Sequence, residues 1–202
     1  MTTFAQSRGT LTLIAGPMFA GKTTEMVVRL LALNHDGRRA VVVLYADDDR
    51  YNVGDRLATH NFPVLPALEE TPHFKTVRAR TLAEARALLG TPLPELIGVD
   101  EGQMFLDLAR ASEWADAGAC VFVAALSSDF RRVPFAHVAA LVPETVISRA
   151  AECMACRARA AAFTHRTAGG TELLQIGGAE SYIALCRACY TAANGDGATV
   201  AR

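Results

Sequence analysis

Hydrophobic and polar positions fall into short runs along the chain, and the period of those runs changes from one to the next. Residues 11–14 (Leu-Thr-Leu-Ile) make an apolar run of strand length that feeds a glycine-bearing loop. Residues 23–34 then bring Met26, Val27, Leu30, Leu31 and Leu33 to helical spacing, with Gly37 as the stop. Residues 40–45 (Ala-Val-Val-Val-Leu-Tyr) are continuously apolar, which suits a strand buried on both faces of a parallel sheet. Residues 47–66 are polar, carry Gly54, Pro63 and Pro66, and show no period, so they predict a long loop of the kind that serves function. Thr81-Leu82-Ala83-Glu84 is a capping box that opens a helix ending near Gly90 and Pro92. Residues 96–100 predict the next strand, residues 104–117 a helix stopped by Gly118, and residues 120–126 another buried strand.

Strand alternating with helix predicts an α/β fold with a doubly wound, mainly parallel sheet over residues 1–150. The character then changes. Residues 151–190 predict a smaller module, with strand-like runs at 160–166 and 172–176, and residues 191–202 a flexible Gly-, Ala- and Thr-rich tail.

Composition narrows the class. The chain has 202 residues, room for one full domain and a small appendage at roughly 100–200 residues per domain. With 51% hydrophobic and 20% charged residues it can bury a core and is not a disordered chain. Twenty Lys and Arg against 21 Asp and Glu give a net charge of −1, which disfavours stable nucleic-acid binding. No apolar run approaches the ~18 residues of a membrane span. The first ten residues lack the pattern of a signal peptide. The expectation is a soluble cytoplasmic protein.

Gly16-Pro17-Met18-Phe19-Ala20-Gly21-Lys22-Thr23 matches the phosphate-binding loop in full and falls between a strand and a helix. Glycines let backbone N–H groups close on phosphate oxygens, Lys22 reaches the β- and γ-phosphates, and the Thr23 hydroxyl ligates Mg²⁺. The competing reading is a chance glycine-containing turn, which the flanking strand and helix disfavour. Asp100 ends an apolar strand, as expected of the acid that holds Mg²⁺, and Glu101 follows as the candidate general base. An ordinary solvated acid pair is the alternative; the phosphate loop upstream favours the functional reading, since ligands bind at the carboxyl ends of parallel strands. Asp47, Asp48, Asp49 and Arg50, after the second strand, are either a solvated loop or a second edge of the nucleotide site.

Cys153-x-x-Cys156 and Cys186-x-x-Cys189 enclose 29 residues, more than the ~15–20 of the usual ribbon spacing. Four thiolates suit a closed tetrahedral Zn²⁺ site with a structural role, with free thiols as the alternative. Cys120 stands alone in an apolar run and reads as a small core residue. His35, His60, His73, His137 and His165 show no ligand spacing.

Together with Asp48-Asp49-Arg50-Tyr51, Asp100-Glu101-Gly102-Gln103, Ala124-Ala125-Leu126 with Phe130, Ile176-Gly177-Gly178-Ala179 with Tyr182, and Cys186-Arg187-Ala188-Cys189-Tyr190, these residues resemble the thymidine kinase family of animal cytosol and many bacteria. That is the P-loop NTPase type with a zinc-bound lasso, and the resemblance runs from about residue 11 to residue 190. It implies ATP-dependent phosphorylation of the thymidine 5′-hydroxyl, usually by a homotetramer. It would put Gly16, Pro17, Met18, Phe19, Ala20, Gly21, Lys22, Thr23, Asp48, Asp49, Arg50, Asp100, Gly102 and Gln103 on the ATP side and make Glu101 the proton acceptor. Phe130, the lasso residues Leu173, Leu174, Gln175, Ile176 and Gly177, and Tyr182 would hold the nucleoside, with Met18, Leu126 and Thr164 around the base methyl. The chain departs from the family pattern at Met104 (usually phenylalanine), at Gln175 (usually apolar) and at Ser127-Ser128-Asp129 (usually Asp-Gly-Thr). Two other classes share parts of the pattern: a nucleic-acid-stimulated ATPase with a zinc ribbon, disfavoured by the net charge, and an ATP-binding regulatory module without turnover, in which Glu101 would be dispensable.

Overall fold

The central sheet contains β1 (Thr10–Gly16), β2 (Ala40–Tyr45), β3 (Phe74–Ala79), β4 (Leu96–Val99), β5 (Cys120–Leu126) and β6 (Thr145–Ser148). They lie in the order β3-β2-β4-β5-β1-β6, and every neighbouring pair is parallel. The computed structural model describes residues 9–34, 37–48, 73–167, 169 and 177–195.

The continuous apolar runs of β2, β4 and β5 follow from layers on both faces. Alternate residues of each strand point to opposite sides. Val41, Val43, Ile97, Val99, Val121 and Val123 pack on one face against α2 (Leu82–Leu89) and α3 (Arg110–Asp116), where Trp114 is buried. Val42, Leu44, Leu96, Phe122 and Ala124 pack on the other against Met26, Val27 and Leu30 of α1 (Lys22–Leu33). This is the doubly wound α/β arrangement that the alternating pattern predicts.

Several elements differ from the sequence expectation. β3 and β6 went unpredicted because both are edge strands, half-exposed or exposed along most of their length, so neither reads as an apolar run. The helix expected over 104–117 shortens to α3. A 3₁₀ turn at Gly102–Met104 and further turns replace its first half. Asp107 shows the reason: its carboxylate accepts the N–H groups of Leu82 and Ala83, both at 2.9 Å, and so satisfies the first turn of α2. Thr81 caps α2 as expected, its hydroxyl accepting from the Glu84 amide at 3.0 Å.

Beyond β6 the strands are short and antiparallel. β7 (Ala151–Glu152) pairs with β8 (Ala160–Ala161), and β9 (Phe163–Arg166) with β10 (Tyr182–Leu185). The run expected at 160–166 is therefore two strands in two sheets, split at Ala162. The run expected at 172–176 lies outside the described residues. A helix over Ala136–Ala139, here α4, lies before β6, and α5 (Arg187–Asn194) closes the small unit. Residues 191–194, expected in the tail, are helical instead: α5 continues to Asn194, whose side-chain amide donates to the Tyr190 carbonyl at 2.7 Å, and residues 196–202 lie outside the described residues. Ala151, Cys153, Ala161, Ala184, Leu185, Cys186 and Tyr190 form a third buried cluster, and Ala20 of the phosphate-loop motif is a member of it. Among the described residues, no helix is long and apolar enough to cross a membrane.

Gly98 of β4 fixes how closely α1 approaches the sheet. A Cβ there would lie 2.9 Å from Leu30 Cδ1, 3.0 Å from Met26 Sδ and 3.1 Å from Val42 Cγ2. Gly98→Ala should lower the unfolding free energy by about 1–3 kcal/mol through overpacking, measured by urea denaturation. An unchanged midpoint would mean that α1 is not seated on β4 as described.

Candidate active site

The carboxyl ends of β1 and β4 flank that of β5, and the candidate residues collect there. β1 ends at Gly16, and α1 begins at Lys22, so the intervening loop directs a helix N-terminus at the space above the sheet. Two loop residues hold left-handed backbone, Phe19 at φ 64° and Gly21 at φ 71°. Gly16 admits a close backbone approach: a Cβ there would lie 2.4 Å from the Arg149 carbonyl oxygen. Lys22 Nζ donates to the Pro17 carbonyl at 2.8 Å, which folds the ammonium over the loop. The Thr23 hydroxyl donates to Asp100 Oδ1 at 2.9 Å. A hydroxyl on α1 and a carboxylate after β4, 77 residues apart, therefore meet as a Mg²⁺-holding pair requires.

Glu101 turns the chain at φ 52°, and its side chain takes a different partner from that of Asp100. Its carboxylate accepts a hydrogen bond from Gln103 Nε2. Gln103 is 3% exposed; its Oε1 accepts the Leu126 N–H at 2.9 Å, and its carbonyl accepts from His137 Nε2 at 2.9 Å. Gly102 makes room for this turn, since a Cβ there would sit 2.7 Å from Val123 Cγ1. The Gln103 amide thus ties the candidate base to the end of β5.

The residues assigned to the nucleoside by resemblance divide. Thr164, buried on β9, accepts the Met18 N–H at 3.0 Å and so joins the small unit to the phosphate loop. The Phe130 ring lies 4.0 Å from the Arg166 guanidinium carbon, the Tyr182 ring 5.3 Å from it, and Arg166 donates to the Tyr182 hydroxyl at 2.9 Å. The Tyr190 hydroxyl donates to the Phe130 carbonyl. Leu126, half-buried, ends β5 beside Gln103. Gly177 is buried against Ser181 and Tyr182. Leu173, Leu174, Gln175 and Ile176 lie outside the described residues, as do Asp49 and Arg50. The Asp48 carbonyl accepts from Arg78 at 3.1 Å, and exposed Asp47 pairs with Arg80 at 2.7 Å.

Sequence reasoning missed Arg166, Arg149 and His137 at this site. Arg166 had a signal, its place two residues after Thr164 on β9: both are buried, while Phe163 and His165, at the other alternate positions, are half-exposed. Arg149 had none, because its side chain reaches Ala20 of the loop across 129 residues. In the departure Ser127-Ser128-Asp129, the buried Asp129 carboxylate accepts the N–H groups of Arg131 and Val133, both at 2.8 Å, and so builds the turn that carries Phe130.

The four paired cysteines meet in the small unit. Their sulfurs all lie within 4.8 Å of one another, near the ~3.8 Å of a tetrahedral site with metal–sulfur bonds of about 2.3 Å. Cys153 follows β7, and Cys186 is the N-cap of α5. Amide donors point at the sulfur cluster, the Cys186 N–H reaching Cys153 Sγ at 3.3 Å. The Cys156 N–H, with those of Cys186 and Ala155, holds the Cys153 thiol down at about 6. Cys186 is lowered in the same way, first by the Cys189 N–H. Cys189 is pushed up to about 12 by the neighbouring sulfurs of Cys186 and Cys153. Backbone donors favour thiolates here while crowding opposes several at once, a conflict that a cation resolves. The donor set fits a closed four-thiolate site and is compatible with structural zinc.

Comparison with known proteins agrees with this geometry. The family model described as "Thymidine kinase" matches residues 9–190. The cytosolic thymidine kinase of Homo sapiens is 38% identical over 189 residues, covering 92% of this chain and 75% of that protein. The thymidine kinase of fowlpox virus (strain NVSL) is 35% identical, covering 91% of this chain and 98% of its own. That of variola virus is 36% identical, covering 90% and 97%. The match extends from before β1 to the tyrosine after the last paired cysteine, taking in the phosphate loop, the acid pair and all four thiols: the chain belongs to the thymidine kinase family.

Proposed function

We propose that this chain transfers the γ-phosphoryl group of ATP to the 5′-hydroxyl of thymidine, with deoxyuridine as a second acceptor, in nucleotide salvage for DNA synthesis. The observation that carries this reading is the 2.9 Å hydrogen bond from Thr23 to Asp100, with Glu101 next in the chain and its carboxylate held by the Gln103 amide. Phosphoryl transfer asks mainly for positioning and charge neutralisation. Gly16, Pro17, Met18, Phe19, Ala20 and Gly21 enclose the phosphates with backbone N–H groups, and Lys22 and Arg50 add positive charge. Thr23 and Asp100 would hold Mg²⁺, which would supply the remaining neutralisation. Asp48, Asp49, Gly102 and Gln103 complete the nucleotide side, with the Gln103 amide also orienting Glu101.

Glu101 takes the proton of the 5′-hydroxyl as that oxygen attacks the γ-phosphorus in line. The new O–P bond forms as the bond to the β-phosphate oxygen breaks, and ADP leaves. Phe130 and Tyr182, braced by Arg166, hold the nucleoside with the lasso residues Leu173, Leu174, Gln175, Ile176 and Gly177. Met18, Leu126 and Thr164 surround the base methyl. Residues 1–150 act as the ATP-binding unit and residues 151–190 as the lasso module, held by Zn²⁺ on Cys153, Cys156, Cys186 and Cys189. A homotetramer in the cytoplasm, with no stable nucleic-acid partner and no membrane, completes the reading.

ADP release separates this from the ATPase reading: thymidine, and not single-stranded DNA, should stimulate it. Turnover of deoxycytidine comparable to that of thymidine would overturn the acceptor assignment, because a site built for an N3–H donor rejects an acceptor there by roughly 10⁴–10⁵. Glu101→Gln should lower kcat by roughly 10²–10⁴, the worth of a positioned general base, while Mg-ATP affinity barely changes. Loss of ATP binding in that variant would make Glu101 a metal-side residue instead.

Zinc uptake should release protons. At neutral pH Cys189, pushed up to about 12, is a thiol and must lose its proton to ligate, whereas Cys153, at about 6, is already a thiolate. Zinc affinity should therefore weaken as pH falls. Titration with Zn²⁺ in weakly buffered indicator solution should show at least one proton released per chain, and none released would overturn the assignment of a protonated thiol to the metal-free cluster.

A further inference from the structure

The phosphate loop is enclosed from outside by the unit that carries the cysteines. Ala20, 5% exposed, is part of the same buried cluster as Cys153 and Cys186, and Phe19 packs against that cluster. Phe19 holds φ 64°, a conformation a bulky side chain keeps only when its surroundings impose it. One residue earlier, the Met18 N–H donates to buried Thr164 on β9 at 3.0 Å. The Ala20 carbonyl accepts from Arg149 Nε at 3.2 Å, and Arg149 lies in the two-residue link between β6 and β7. Three consecutive loop residues, Met18, Phe19 and Ala20, therefore take their outer contacts from β9, the module cluster and the link into the module.

From this we infer that the four-cysteine site governs ATP affinity as well as the lasso, with Thr164, Phe19 and Ala20 as the positioning residues that transmit the effect. The module has little core of its own, mostly alanines and the cysteines themselves, so its order depends on the metal. When the cysteines are not held together, the wall behind residues 18–20 loosens. The Met18 amide loses its acceptor, and Phe19 has less to hold it in left-handed backbone. The loop then samples shapes whose amides no longer converge on phosphate. The coupling is reciprocal by necessity: whatever factor zinc contributes to nucleotide binding, nucleotide contributes to zinc binding. The inference rests on the ATP-binding reading above.

The test uses the full chain without thymidine, which keeps lasso effects out of the measurement. Calorimetric titration with a non-hydrolysable Mg-ATP analogue should give a dissociation constant about ten-fold weaker after zinc is stripped, within the range typical of coupled sites. Competition against a chromophoric zinc chelator should show zinc held more tightly by the same factor when the analogue is present. A purely local structural zinc would leave that second measurement unmoved. Thr164→Val in the zinc-loaded chain should weaken the analogue several-fold with zinc still at one per chain, and Thr164→Ser, which keeps the hydroxyl acceptor, should restore affinity. The Thr164 pair decides the case even where the stripped chain loses its far-UV circular dichroism. Equal affinity of the stripped and loaded chains, or of Thr164→Val and wild type, overturns the inference. Failure of the loaded wild-type chain to bind Mg-ATP overturns the proposed function instead.

Discussion

A parallel sheet buried on both faces leaves its chemistry one place to go, the ends of its strands, and this chain depends on that constraint. β2, β4 and β5 contribute apolar residues to the layers above and below them, so no polar group can project from their middles without loss. The carboxyl ends of β1, β5 and β4, adjacent in the sheet, instead carry the phosphate loop, Leu126 and the Asp100-Glu101 pair. The hydrogen bond from Thr23 to Asp100 spans this row. It joins α1 to the end of β4, and α1 lies close over β4 because Gly98 has no side chain.

What the sequence revealed follows the same division. Elements buried on both faces were legible as runs, and so was α2 through its capping box. The edge strands β3 and β6 were not, because few of their positions are buried and polar residues interrupt each of them before an apolar run forms. The helix expected from residue 104 failed for a tertiary reason: Asp107 serves the first turn of α2, and local periodicity carries no trace of that. At the site, the residues of contiguous motifs were found by spacing, whereas Arg149, Arg166 and His137 act across long separations in sequence. Gln103 lay in a recognised motif, but its ties to Glu101 and Leu126 depend on a left-handed turn at a glutamate, which propensity does not anticipate.

The small unit illustrates how a fold can complete itself with borrowed parts. Its strands have two or four residues, and its helix has eight, too little to bury a core of ordinary size. Its cluster takes in thiols and a stretch of the phosphate loop, and its aromatic residues are stacked with arginines: Arg132 over Tyr190, Arg187 over Phe163 and Arg166 over Tyr182. Guanidinium planes there do what aliphatic side chains do in the larger unit, while keeping a polar edge toward solvent or partner groups.

The placement of the aromatic residues has an optical consequence. The chain has one tryptophan, Trp114, and it is buried in the layer of α2 and α3, on the sheet face opposite α1. Two of the four tyrosines, Tyr182 and Tyr190, belong to the four-cysteine unit, where both touch a guanidinium. Indole fluorescence therefore reports the packing of one helical layer of the larger unit, whereas tyrosine absorbance is divided between the units, Tyr45 lying on β2. Selective excitation of the single indole follows the larger unit without a label, so events in the small unit that leave its signal unchanged can be recognised as local.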